Sequence, residues 1–129
     1  FNSMQTVRDL DAARRFYVDV LGFEVLNEGR FENPLRAPNN FGVPANLVVA
    51  QPLRFAILGP RRSGPTQVEL VQFPGVEGRD LAPRSAPPSL GLLALRFPVS
   101  RLATIEERLR KAAIPVAAGP AMLDIAPYG

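Results

Sequence analysis

Glu69 is the one charged residue of the run Thr66 to Phe73, among Val68, Leu70 and Val71, and is the carboxylate best placed to do chemistry. Turned into a partly buried site, its pKa would rise toward the range useful for acid–base work. Turned to solvent, it is an ordinary polar residue alternating with Val68 and Leu70. Strand side chains alternate with period two. Gln67, Glu69 and Val71 therefore share one face of their strand, and Asn2, Met4 and Thr6 share one face of another. Asn, Thr and Gln supply neutral hydrogen-bonding groups. Phe55 and Phe41 are candidate aromatic walls, with a place in the core as the simpler role.

Other chemistries are closed. The 129 residues include no histidine and no cysteine. Ser-His-Asp and Cys-His arrangements cannot form, nor can disulfides or thiolate metal sites. The glycines from Gly59 to Gly64 lack the P-loop lysine and the dinucleotide spacing.

The elements that position these residues follow from periodicity. Residues 3–7 read as a short strand. Asp9 is a natural N-cap, and Leu10, Ala13, Phe16, Tyr17, Val20 and Leu21 follow at helical spacing. Gly22 suits the left-handed position after the helix. Phe23 to Phe31 is extended. Residues 33–50 carry three prolines and no clean period, so they form a long connection that acts as a lid or packs Phe41, Val43 and Leu47 onto the core. Gln51 to Leu58 and Thr66 to Phe73 are strands, joined by a turn over 59–65.

The second half repeats this plan. Leu92 to Pro98 is a strand, Ser100 an N-cap, and Leu102, Ile105, Leu109 and Ala112 form the apolar stripe of a helix that Pro115 helps to end. Residues 116–118 and 122–125 are two further short strands. Val7 aligns with Val99, Leu10 with Leu102 and Ala13 with Ile105. Phe23-Glu24-Val25 aligns with Ile114-Pro115-Val116 when one residue is dropped near Gly22. One supersecondary unit used twice explains the match. The expectation is an α+β fold of two β-α-β units paired into one sheet curled around a cleft, with helices outside. Module one is 1–75, the linker 76–90 and module two 91–129, all within one domain. A concave, partly apolar cleft is the default site for a small ligand.

The net charge is +3, and the pI is about 10.2. Lys111 is the only lysine; arginine supplies the rest. The arginines are scattered among acids, which argues against a nucleic-acid face. No apolar run nears the roughly 20 residues of a membrane span, and no signal-peptide pattern opens the chain. A cytoplasmic protein is expected. The chain opens on Phe1, which is consistent with a piece of a longer protein.

The run from Val7 through Phe16-Tyr17 to Leu21-Gly22-Phe23-Glu24-Val25, with the second pass from Phe97-Pro98-Val99 to Val116, resembles the glyoxalase / bleomycin-resistance / dioxygenase superfamily, the vicinal oxygen chelate fold. The resemblance implies two β-α-β-β-β modules forming a curled mixed sheet around a metal-bearing cleft, commonly in a dimer, and a reaction class ranging from lyases and isomerases to dioxygenases and antibiotic binders. It implies a His on the first strand of each module and a Glu or other ligand on the last. Here Asn2 and Ala94 stand at the two His positions, and Glu69 alone matches a ligand position. The fourth position would lie beyond Gly129. Arg96 shares parity with Ala94, so the resemblance turns it inward, to clamp an anionic ligand or to pair with Glu69.

Three functions are then open. The first is a protein that binds a small molecule through Asn2, Met4, Thr6, Phe55, Gln67, Glu69 and Arg96, with no cofactor and no His-based metal site. The second is a lyase, isomerase or dioxygenase using a divalent metal. The third is a degenerate domain that serves in dimerisation or partner binding. A small-molecule ligand and a homodimer are the expected partners, with no nucleic acid and no membrane.

Overall fold

The computed structural model describes residues 2–31, 52–60, 67–80 and 95–122. Two compact units divide it, residues 1–98 and 99–129.

The first unit runs β1 (Asn2–Thr6), α1 (Leu10–Arg15), a π-helical turn (Phe16–Val20), β2 (Phe23–Phe31), β3 (Leu53–Pro60) and β4 (Gln67–Gln72). This is the β-α-β-β-β order expected of module one. The sheet is mixed, with strand order β1-β4-β3-β2. β1 lies parallel to β4, whereas β3 runs antiparallel to both β4 and β2. A parallel pair needs a long crossover, and the first to join β1 to its neighbour is the whole stretch from α1 to β3.

Asp9 caps α1 as expected: its carboxylate accepts the Ala12 N–H at 2.9 Å. The helix does not continue as α. Its second half takes π geometry, with the Leu21 N–H donated to the Phe16 carbonyl five residues back. Gly22 ends it at φ 76°, its N–H on the Val18 carbonyl, in the single-bond left-handed cap.

The helix seals one face of the sheet. Leu10, Tyr17 and Phe23 pack there on Ala56, Leu58, Val68 and Leu70. Burial of a leucine side chain such as Leu58 or Leu70 is worth roughly 1.5–3 kcal/mol. The Tyr17 phenol donates to Gln5 Oε1 at 3.0 Å, which satisfies its one polar group. Phe97 joins edge-on, its ring 6.1 Å from Tyr17 and 5.3 Å from Phe23. Leu95 and Phe97 pack against this core, so the first unit reaches past the expected linker at 76–90. Phe73-Pro74-Gly75-Val76 makes a turn with Gly75 at φ 76° and the Val76 N–H on the Phe73 carbonyl, as proline then glycine at its centre require.

β2 carries one irregularity. Val25 pairs with Leu58 and Asn27 with Ile57, leaving Leu26 as the extra residue of a bulge. Gly59 makes room for it: a Cβ there would stand 2.8 Å from Leu26 Cδ1.

In the second unit α2 spans Leu102–Lys111. Leu10 and Leu102 each begin their helix, as the repeat requires. The caps differ. Arg101 rather than Ser100 is the N-cap, and no side chain bonds there. The C-terminus closes in a Schellman pattern: the Ile114 N–H reaches the Leu109 carbonyl and the Ala113 N–H the Arg110 carbonyl. Ala113 occupies the left-handed position at φ 53°. Expected strands are not formed at 95–98 or 116–118, nor at Met122. Residues 92–94 and 123–125 lie outside the described residues, as do the 33–50 connection with Phe41 and the turn at 61–66. Among the described residues no helix is long and apolar enough to cross a membrane.

Candidate functional site

The register decides which side chains share the face opposite the helix. Met4 stands opposite Glu69 and Thr6 opposite Val71 across β1 and β4. Glu69 stands opposite Ile57, and Val71 opposite Phe55, across β4 and β3. Leu58, Leu70 and Val68 point the other way, into the helix-side core. Met4, Thr6, Phe55, Gln67 and Glu69 are thus brought together on one helix-free face. Asn2 pairs with Gln67 in the same register.

This face has its own apolar floor. Leu53, Phe55 and Val71 are buried and form a second cluster, with Ile57 and Phe73 against it. Around the floor the surface stays partly open: Glu69, Gln67 and Ile57 are half-buried and Thr6 is exposed. Met4 keeps 39% of its surface exposed and Phe31 keeps 41%.

Phe31 is the residue that sequence parity misplaces. Phe23 and Phe31 are eight residues apart, so an unbroken strand puts both on one face. The Leu26 bulge reverses the alternation. Phe23 goes to the helix-side core, whereas Phe31 pairs with Leu53 and comes to the helix-free face. There its ring stacks on Phe55 with centroids 4.7 Å apart and planes 28° from parallel. Gly29, opposite Phe55, lets this ring lie close over β2; a Cβ on it would sit 3.2 Å from Phe55 Cε1. A lone glycine inside the predicted β2 strand was the signal available for a close approach or a bulge.

Arg96 does not join this group. Leu95 and Phe97 on either side pack against the helix-side core, and Arg96 is exposed rather than turned inward. Among the described residues no ion pair joins it to Glu69. The alternating burial of 95–97 imitates a strand without a ladder among the described residues.

A depression of about 330 Å³ lies elsewhere, between α1 and strands β2 and β3. Asp11, Arg14, Glu28, Arg30 and Arg54 line it. Its charges are largely matched internally. Arg54 donates to both oxygens of Asp11 at 2.9 and 3.2 Å and to Gln72 Oε1 at 3.3 Å. Gln72 in turn donates to the Arg8 carbonyl at 2.8 Å. Arg14 Nε stands 3.1 Å from Glu28 Oε2, close enough to pair but without hydrogen-bond geometry. This network ties the start of the helix to β3 and β4. On the opposite face, the candidate site, Thr6, Gln67 and Glu69 take no part in such pairing among the described residues.

The metal ligands implied by the resemblance can be tested against this geometry. Glu69 has Met4 and Ile57 as its cross-strand neighbours. A methionine and an isoleucine give a hard cation no oxygen donor, and the chain has no imidazole to give a transition metal. Among the described residues no three His, Cys, Asp or Glu side chains come together as a metal site. The described donor set does not fit a metal.

No curated protein sequence matches the chain. The family model described as Glyoxalase/Bleomycin resistance protein/Dioxygenase superfamily matches residues 3–121. That span covers all of β1 but its first residue, the rest of the β-α-β-β-β module and α2, and with it the chain belongs to the Glyoxalase/Bleomycin resistance protein/Dioxygenase superfamily.

Proposed function

We propose that the protein binds a small organic molecule on the helix-free face of the sheet, without a His-based metal site. One observation carries this reading. The face gathers a carboxylate, neutral hydrogen-bonding groups and a stacked aromatic pair over an apolar floor, and it stays partly exposed. Ligand sites have this composition: mostly apolar walls with a few placed polar groups. Glu69 then acts as a hydrogen-bond acceptor or a charge partner rather than as a metal ligand. A homodimer acting in the cytoplasm belongs to the same proposal, and light scattering of the purified chain tests the assembly.

The test is a small-molecule screen read by thermal shift, run with and without a chelator. Hits are mapped by backbone amide NMR. The reading expects hits that the chelator leaves unchanged and that perturb amides of β3 and β4. Hits lost on chelation would overturn it and favour a metal-using lyase, isomerase or dioxygenase.

A further inference from the structure

We infer that the ligand of the helix-free face is a planar aromatic cation. The inference rests on the binding proposal above and names the class of molecule.

Glu69, Phe55 and Phe31 form a straight diagonal across three neighbouring strands. Glu69 stands level with Ile57 on β3, and Phe55 lies two residues along from Ile57. Phe31 stands level with Leu53, two residues further again. Each step therefore crosses one strand and advances two residues. Such diagonal neighbours lie roughly 7–8 Å apart at Cα, within reach of aromatic and long side chains. The row runs from a carboxylate to one ring and on to a second ring stacked on the first.

Glu69 is the charged side chain of this face that adjoins the aromatic row, its neighbours in the register being Met4, Gln67, Ile57 and Val71, and the other acid on the face, Glu24, stands further along opposite Gly59. A neutral ligand laid over the face would strip water from that carboxylate and offer no charge in return, which is costly. An anion would add repulsion. A cation supplies the missing partner, and a charge-assisted hydrogen bond to a carboxylate is among the stronger kinds. Aromatic faces beside the carboxylate attract the same charge, and they stack on a planar ligand. The face therefore selects an amidinium-, guanidinium- or ammonium-bearing aromatic molecule.

Three probes of one shape and different charge test this: benzamidinium, benzamide and benzoate, titrated at neutral pH into the full chain and followed by amide NMR. Benzamidinium is expected to perturb β3 and β4 and to bind about tenfold or more tighter than benzamide, the order expected for a charged hydrogen bond. Benzoate is expected to be weakest. Glu69→Gln, whose folding the same spectra check, is expected to remove the preference and keep the benzamide affinity. Equal binding of benzamidinium and benzamide, or a preference that survives Glu69→Gln, overturns the cation assignment and leaves the binding face standing. No perturbation by any probe at millimolar concentration overturns both.

Discussion

Asp11 accepts both terminal nitrogens of Arg54, at 2.9 and 3.2 Å, across 43 residues of chain. The bond from Arg54 holds the Asp11 carboxyl below its ordinary value of 3.8; partial desolvation opposes this, and the charges of Arg54, Arg15 and Arg14 add to it. In the unfolded chain Asp11 binds its proton more readily, so the pair favours the folded state wherever the carboxylate is ionised. The contribution is fully present above the unfolded pKa and disappears as pH falls through the folded one. The stability difference between the protein and Asp11→Asn, from urea denaturation, should be flat near neutral pH and shrink below about pH 4. A difference that persists unchanged into strong acid would show that Asp11 acts through something other than its charge.

Tyr17→Phe should destabilise the protein modestly. Tyr17 is buried, at 6% exposure, and among the described residues its phenol bonds only to Gln5. The loss should be about 0.5–1.5 kcal/mol, since half-buried Gln5 can turn to water. Burial also raises the Tyr17 pKa, with the Gln5 bond pulling the other way. Its ionisation therefore opposes folding: stability holds below the ordinary tyrosine value of 10.0 and falls as pH rises beyond it. Urea melts at neutral and alkaline pH check both points, and Tyr17→Phe should lessen the alkaline loss.

Much of the first unit was legible in the sequence because its periods are clean. Expected strands at 3–7, 23–31, 51–58 and 66–73 became Asn2–Thr6, Phe23–Phe31, Leu53–Pro60 and Gln67–Gln72. Parity alone put Met4 with Thr6 and Gln67 with Glu69, and the register of β1 on β4 brings the two pairs onto one face. Phe31 did not, because a bulge is a pairing event between two strands and parity belongs to one. The π turn after Arg15 escaped for a similar reason: Phe16, Tyr17 and Val20 fit helical spacing whether the bond closes at four residues or at five. At 95–98 the alternation is real but reports burial, since Leu95 and Phe97 reach the core while Pro98 has no N–H to give a ladder.

Gly29→Ala tests the aromatic pair. Its new Cβ would meet Phe55 Cε1 at 3.2 Å, so the ring must give by a few tenths of an ångström. Crowding of this kind costs about 1 kcal/mol. The expected outcome is a small drop in urea midpoint with shifted Phe31 and Phe55 ring resonances. Unshifted resonances would mean that Gly29 does not set the position of the stack.

Ala113→Gly should stabilise α2. Ala113 holds φ 53° at the Schellman position, where the left-handed conformation costs an L-residue roughly 1–2 kcal/mol. Glycine avoids that cost but loses more chain entropy, for a net gain of about 0.5–1 kcal/mol. Amide exchange along α2 is the direct readout, and slower exchange at Ala112, Gly at 113 and Ile114 is expected. Faster exchange would contradict the cap geometry.

The central claim is that Glu69 serves this face as a free carboxylate and that the protein works without a metal. Elemental analysis of the full chain, purified without a histidine tag, tests it most directly. The account predicts only substoichiometric iron, nickel, zinc or manganese, and a thermal midpoint that a chelator does not move. Stoichiometric metal that Glu69→Ala releases would contradict it and make Glu69 a ligand.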